Sequence, residues 1–452
     1  MKGRVASGVV HIVGAGLAGL AAAVVLASEG REVRLYEAAG HAGGRCRSYF
    51  DAELGCRIDN GNHLLLSGNY RALNYLERIG ARGTLIGPED AVFPFFDATT
   101  GQRWVLQPNR GRLPWWILRQ WRRVPQTRAT DYLKALALRR AAPGAVVGEV
   151  LDPRGALFAR LWEPLAVAAL NAGVNQASSR LFWRILVETL GRGGAACRPL
   201  VPRTGLSETF IDPALETLQR LGAALHFSAR LRALDLSAER VSILRFDGGP
   251  VELAAEDRVI LATPAPVTAR LVPDLVVPER YSPIVNAHFH CAAPPHSPLF
   301  VGVIGATAEW IFHKPQVLSV TVSAADRIID LSAEELRSTL WRDTMAGYQI
   351  PAAPMPPVRI VKERRATFLA SPEQLLRRPR AVTRWQNLLL AGDYTETGLP
   401  ATIEGAICSG FTAARCVLSH ELRRREAMRH RARPRATAGV QHRRTQKANL
   451  MR

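Results

Sequence analysis

Two turns near opposite ends of the chain combine glycine with a carboxylate in the way a phosphate-bearing ligand requires. The first is Gly14-Ala15-Gly16-Leu17-Ala18-Gly19. Gly14 permits a tight turn. Gly16 has no side chain to hold a pyrophosphate off the backbone, and Gly19 lets a following helix lie close on the preceding strand. The start of such a helix offers free N–H groups and positive dipole to phosphates. Glu37 stands 21 residues after Gly16, where a carboxylate can accept hydrogen bonds from both hydroxyls of a ribose; the alternative is a solvated acid at a strand end. The second turn is Gly392-Asp393, followed by Pro400-Ala401-Thr402-Ile403-Glu404. An acid that closes a strand ahead of a helix start places a hydroxyl acceptor beside a site that favours negative charge.

These turns need strands and helices to aim them. Residues 9–13 read as a buried strand, 20–28 as a helix ended by Gly30, and 32–37 as a second strand. Together they make a β-α-β unit that carries the G-x-G-x-x-G pattern of dinucleotide binders. Residues 387–391 read as another buried strand. Pro400 opens a helix to about residue 417, since a missing N–H costs nothing there. Residues 225–236, 240–246 and 257–264 read as further strands, the last ending at Pro264. The fold class expected is therefore α/β, with a Rossmann-like core.

Hydrophobic residues make up 47% of the 452 and charged residues 22%. That balance excludes collagen-like and disordered chains for the bulk of the sequence. The formal net charge is +20, and residues 423–452 hold eleven Lys or Arg against one acid, Glu426. This segment lacks apolar periodicity and reads as a disordered basic tail. An anionic membrane surface suits it, at roughly 1 kcal/mol per cation; a solvated tail without function is the alternative. Nothing resembles a nucleic-acid-binding fold, so no nucleic-acid partner is expected. The six cysteines show no Cys-x-x-Cys pair. They read as reduced thiols of a cytoplasmic protein, without a metal site. The apolar run 9–27 is interrupted by its glycines, and no other run approaches the ~20 apolar residues of a membrane span. The expected location is cytoplasmic, peripheral on the inner face of the membrane.

Residues 113–123 read Leu-Pro-Trp-Trp-Ile-Leu-Arg-Gln-Trp-Arg-Arg. Aromatic rings and cations in this mixture suit a lipid headgroup boundary; a helix with core tryptophans is the alternative. Residues 161–171 form an apolar helical stretch, taken as core, although it can also line a hydrocarbon tunnel.

Gly43-Gly44-Arg45 resembles the G-G-R extension of FAD-dependent amine oxidases and carotenoid desaturases. The resemblance implies FAD as cofactor, with Gly44 in a loop close to it and Arg45 near its phosphates; a surface cation is the alternative for Arg45. Asp59-Asn60-Gly61-Asn62-His63 is similar to a segment that runs beside the isoalloxazine ring in that superfamily, which brings Gly61 and Asn62 to the ring. His63 is the one group there that exchanges protons near neutral pH; a hydrogen-bonded structural histidine is the alternative. The same resemblance implies that Gly392 and Asp393 meet ribityl or phosphate-linked hydroxyls. It also implies that Thr402 and Ile403 face the N1–C2=O edge of the flavin.

Leu161-Trp162-Glu163-Pro164-Leu165, Pro202-Arg203-Thr204-Gly205-Leu206-Ser207, Arg365-Ala366-Thr367-Phe368 and the string from Ala391 to Gly405 extend the match. Over residues 10–418 the chain resembles the hydroxysqualene dehydroxylases, squalene-associated FAD-dependent enzymes of bacterial hopanoid synthesis. Relatives usually have Gln where Asn62 stands and Trp where Tyr394 stands. The resemblance implies a discontinuous FAD-binding domain (residues 1–85, 205–264 and 381–422) and an inserted α+β substrate-binding, membrane-facing domain (86–204 and 265–380). It implies reduction of hydroxysqualene to squalene with loss of water, beside neighbouring squalene-pathway enzymes. His63 and Glu404 are the candidate acids, with a structural helix-start role as the alternative for Glu404. A carotenoid (phytoene-type) desaturase or another amine-oxidase-superfamily enzyme is the alternative activity. A flavin-binding protein that only anchors terpenoid enzymes is a further one.

Overall fold

The computed structural model describes residues 8–431; residues 432–452 of the expected basic tail lie outside the described residues. Five short apolar strands build the central parallel sheet: β1 (Val10–Val13), β2 (Val33–Tyr36), β3 (Ala224–His226), β4 (Arg258–Leu261) and β5 (Leu388–Leu390). Their order is β3-β2-β1-β4-β5. β1 and β4 are buried at every position, as strands covered on both faces must be. Val10, Ile12, Ile260 and Leu389 face helices α1 (Leu17–Ser28) and α3 (Ile403–Arg431). Val13, Val259, Leu261, Leu388 and Leu390 face a three-stranded antiparallel layer, Leu231–Leu236, Val241–Phe246 and Gly249–Glu252. The period-2 alternation of each strand thus sorts its side chains between two cores.

α1 and α3 pack closely. A Cβ on Gly410 of α3 would collide with the backbone oxygen of Ala18 on α1, so only glycine fits there. α3 continues to Arg431 and does not end near residue 417, so the segment expected to be a disordered tail begins as helix. The strand expected over 225–236 is two strands. Ser228 takes a left-handed φ of 54° between them, and the backbone N–H groups of Ser228 and Ala229 turn aside to the carbonyls of Ala39 and Glu37. The first half therefore joins the central sheet and the second half joins the antiparallel layer.

A seven-stranded sheet stands over this core. Its order is Val358–Phe368, Tyr281–Phe289, Leu318–Val322, Trp310–His313, Phe300–Ile304, Phe93–Asp97 and Arg103–Leu106. One face carries Val285, Ala287, Ile311, Val320 and Val301, which bury against helix Ala333–Tyr348. The opposite face is polar at one end and aromatic at the other. Cross-strand register groups Asn286 with Thr321 and His288 with Ser319, and pairs Thr321 with Trp310 and Ser319 with Phe312. Gly302 makes room for the aromatic end: a Cβ there would lie 2.6 Å from the Phe95 ring and 3.2 Å from the Trp310 ring. Gly302→Val is accordingly expected to cost about 1–3 kcal/mol through overpacking, measured as a lower urea midpoint for the holoprotein. An unchanged midpoint would contradict this packing.

The stretch 161–171 is core. Leu161, Trp162, Ala166 and Leu170 bury among Trp116, Tyr132 and Phe182. Asn171 ends that helix in the left-handed region and ties it to Ser282, Thr367 and Ala324.

Candidate active site

The turn after β1 is held by its own glycines. Gly14 has φ 108°, and a Cβ there would stand 2.5 Å from the carbonyl oxygen of Ala262. Gly16 caps α1 without any side-chain acceptor, so the first N–H groups of the helix stay available. The Gly43-Gly44 turn is pinned against it, with Gly43 N donating to Ala15 O at 2.9 Å. The Glu37 carboxylate accepts from the backbone N–H groups of Ala15 (2.8 Å) and Ala39 (2.9 Å), which fixes it at the mouth of the turn.

Arg45 reaches from this turn to the opposite end of the chain. Its Nη2 lies 2.8 Å from Asp393 Oδ1, and its Nη1 donates to Ala366 O at 2.6 Å. The structure therefore brings Gly14, Gly16, Gly19, Gly44, Arg45, Gly392 and Asp393 together from remote segments. Arg378 holds the loop after Asp393 from behind. Its buried guanidinium donates to the carbonyls of Asp393, Thr395 and Leu399 and to the Thr397 hydroxyl. Tyr394 is buried with Phe368 and Val277, its ring against Gly392, and its hydroxyl meets that of Thr268 at 2.9 Å.

The Asp59–His63 segment lies beneath the polar end of the seven-stranded sheet. Gly61 backs onto Asn286, 3.3 Å from where a Cβ would sit. Asn62 Nδ2 donates to Ser319 Oγ (2.7 Å) and Thr321 Oγ1 (2.9 Å), while its buried Oδ1 has no donor among the described residues. Asp59 is buried. It accepts from Ser48 Oγ (2.5 Å) and Leu206 N (2.9 Å), and its other oxygen pairs with Lys314 Nζ. Gly205 of the Pro202–Ser207 string is required behind it, since a Cβ would come 2.7 Å from Ser48 Oγ and 3.1 Å from Asp59 Oδ1. A cavity beside Asp59 and Asn62 is lined by His63, Lys314, Phe312 and Leu299.

The electrostatics of this cavity separate its titratable groups. Burial drives the His63 pKa down to about 4; Asp59 opposes that, and Lys314 and Arg45 add to it. His63 is thus a neutral imidazole near pH 7. Burial drives His288 down to about 3. Asp59 is held below its ordinary value: burial opposes ionisation, but Lys314 and the Leu206 N–H outweigh it. The two depressed histidine values mean that the unfolded chain binds more protons than the folded one below the ordinary 6.5. Their contribution to stability should be complete above that pH and be lost as pH drops toward 4 and 3, while Glu309, pushed up to about 7 by burial, works in the opposite direction. Urea midpoints at pH 7.5 and pH 5 for the parent and for His63→Ala test this: the substitution should reduce the midpoint lost on going to pH 5, and an unchanged pH dependence would contradict the depressed His63 value.

Glu404 is not in this cavity. Both its oxygens accept backbone N–H groups of helix α2 (Tyr70–Arg78), from Arg71 at 3.0 Å and Ala72 at 2.8 Å. Asn69, at the N-cap of α2, spends its side chain on Leu66 N instead, so a carboxylate from α3 caps α2 in its place. Thr402 caps α3 through Gly405 N, and Ile403 is buried in the core cluster that also holds Ala15, Leu17 and Leu65. Lys314, Arg378, Phe312, Ser319 and Thr321 were not singled out from the sequence. No local motif marks them, because each acquires its role from a contact across the fold.

The sequence profile of the flavin-containing amine oxidoreductases matches residues 17–418. The chain belongs to that family. A hydroxysqualene dehydroxylase of Sinorhizobium fredii is 47% identical over 91% of this chain and 98% of its own length. One of Rhodopseudomonas palustris is also 47% identical, over 91% and 98%. A zeta-carotene desaturase of Synechocystis is 22% identical over 93% of this chain and 99% of its own. In structure, a putative protoporphyrinogen oxidase from Exiguobacterium superposes with a TM-score of 0.63 at 19% identity, over 93% of this chain and 100% of that one. The α/β fold expected from the sequence is the fold of this flavin-containing amine oxidoreductase, and its cofactor is FAD. The residues present fit that group. A Cβ on Gly16 would meet nothing within 4 Å, so the cradle is open where a diphosphate needs to lie against backbone. The unmatched Asn62 Oδ1 offers an acceptor to a ring N–H.

Proposed function

We propose that the protein reductively removes the hydroxyl of hydroxysqualene to give squalene and water. The observation that carries this reading is 47% identity to hydroxysqualene dehydroxylases along nearly their whole length. Carotenoid-type desaturation, the reverse direction of hydride transfer, is the activity named for more distant relatives, from 22% identity over 93% of this chain to 32% over 33% of it.

Gly14, Gly16, Gly19, Gly44, Arg45, Glu37, Gly392 and Asp393 would hold the adenine-side ribose, the diphosphate and the ribityl chain. Gly61, Asn62, Thr402 and Ile403 would meet the ring system. Reduced FAD, when bound, supplies the hydride. The chain itself must help an allylic hydroxyl to leave, because hydroxide is a poor leaving group until it is protonated. His63, neutral through burial, is suited to orient that hydroxyl. Glu404, committed to capping α2, is suited to holding α2 and α3 together. The proton donor that fits the cavity is the Lys314 ammonium, anchored by Asp59. As the C–O bond breaks, the oxygen leaves as water with that proton, and the new C–H bond forms at the carbon. The Phe312 ring in the wall can stabilise the delocalised cation between those events. The aromatic end of the sheet keeps the rest of the cavity dry.

A substrate that dissolves in bilayers rather than water supports a peripheral position on the inner membrane face, near enzymes that make and use squalene. The test is anaerobic: protein reduced beforehand is mixed with hydroxysqualene. Flavin reoxidation in step with squalene formation is expected. A flavin that stays reduced with hydroxysqualene, while oxidised enzyme bleaches with phytoene, would overturn the reading.

A further inference from the structure

Residues 113–136 bury only part of their apolar content. Trp116 and Ile117 root the segment in the core around Leu161 and Trp162. Trp116 meets Tyr132 edge-on at 5.1 Å, which ties residues 115–118 to the helix Ala129–Leu133. Around these roots the remaining large apolar side chains face outward. Trp121 is 71% exposed, Trp115 62%, and Leu113, Leu118, Leu133 and Leu136 each more than half. Isolated exposed leucines need no explanation, but six such side chains on one projecting segment do.

The charge around them has one sign. Residues 110–140 hold nine Lys or Arg and a single acid, Asp131. Arg112, Arg119, Lys134, Arg139 and Arg140 are exposed. Arg119 stacks over the Trp121 ring at 5.5 Å, so cation and ring project together. Such a surface repels a second copy of itself, because a two-fold contact would set the same cations against one another. It complements a layer that is anionic at its surface and apolar beneath. The buried roots of the segment also share their cluster with Phe95, and Trp310 and Phe93 of the aromatic sheet face pack against that cluster. Packed apolar side chains therefore continue from the projecting segment to Phe312 in the wall of the cavity.

We propose that residues 113–136 dock on an anionic lipid bilayer, with Trp115, Leu118 and Trp121 inserted at the headgroup boundary and the arginines paired with lipid phosphates. Its purpose, delivery of a hydrocarbon from the bilayer, rests on the substrate reading above; the docking itself is tested without turnover.

Full-length holoprotein is sedimented with vesicles of phosphatidylcholine, with and without phosphatidylglycerol. Binding is expected to the anionic vesicles, weakened by salt. The variant Trp115→Ser/Leu118→Ser/Trp121→Ser keeps every charge, including those of residues 432–452. It should lose binding by about 10-fold or more while FAD content is unchanged. Brominated lipids should quench tryptophan emission in the parent protein and much less in the variant, an independent reading of insertion. The proposal is overturned if the triple variant sediments like the parent, if the parent ignores anionic vesicles, or if the substitutions instead dissolve a dimer. Normal hydroxysqualene turnover in detergent by the non-binding variant would leave the catalytic reading standing; loss of turnover in the parent would strike that reading alone.

Discussion

Gly16→Val should yield a folded protein that purifies without colour. The position is open on the ligand side, so a larger side chain meets no protein atom within 4 Å of the new Cβ. The fold therefore tolerates it. A diphosphate does not, because the branched side chain occupies the space over the free N–H groups at the start of α1. Loss of that close approach should weaken FAD by at least ~100-fold, about 2.7 kcal/mol. Gly19→Val makes the contrast. A Cβ there collides with the backbone oxygen of Gly14, so that variant should fail to fold rather than fold empty. Absorbance near the flavin band and far-ultraviolet circular dichroism separate the two results. Normal flavin content in Gly16→Val would place the cofactor elsewhere.

Lys314→Met should keep FAD and lose turnover by ~10²–10⁴-fold, the usual contribution of a positioned acid. Stability changes too, and the two effects must be distinguished. Asp59 is buried, and removing its partner leaves a carboxylate with only Ser48 and Leu206 to solvate it. Breaking a buried pair in this way costs about 3–5 kcal/mol. Adding Asp59→Asn removes the stranded charge. The double variant should regain much of the denaturation midpoint and none of the turnover. His63→Ala should cost less than Lys314→Met, because a neutral imidazole has no charge to contribute. Near-normal squalene formation by the double variant would remove Lys314 from the chemistry.

The two glycine-rich turns were legible because their requirement is local. A tight turn or a backbone approach dictates glycine from the nearest few residues, whatever the rest of the chain does. The buried strands 9–13 and 387–391 were legible for a similar reason: short apolar runs between turn residues have few other homes. The strand expected over 225–236 was less so, since only the contacts of Ser228 and Ala229 with residues 37–39 break it in two. Glu404 shows the same limit. Its place beside a helix start made it a candidate acid, and only the tertiary fold presents α2 to it as a helix in want of a cap.

The order of residues alone thus determined that this chain builds an α/β dinucleotide cradle from both its ends, because those features depend on φ, side-chain size and short-range spacing. Only the tertiary structure decided which groups carry charge in the cavity. His63 loses its proton through burial, and Lys314 meets Asp59 across 255 positions. Desolvation and ion pairing are properties of the assembled interior, and no stretch of sequence contains them.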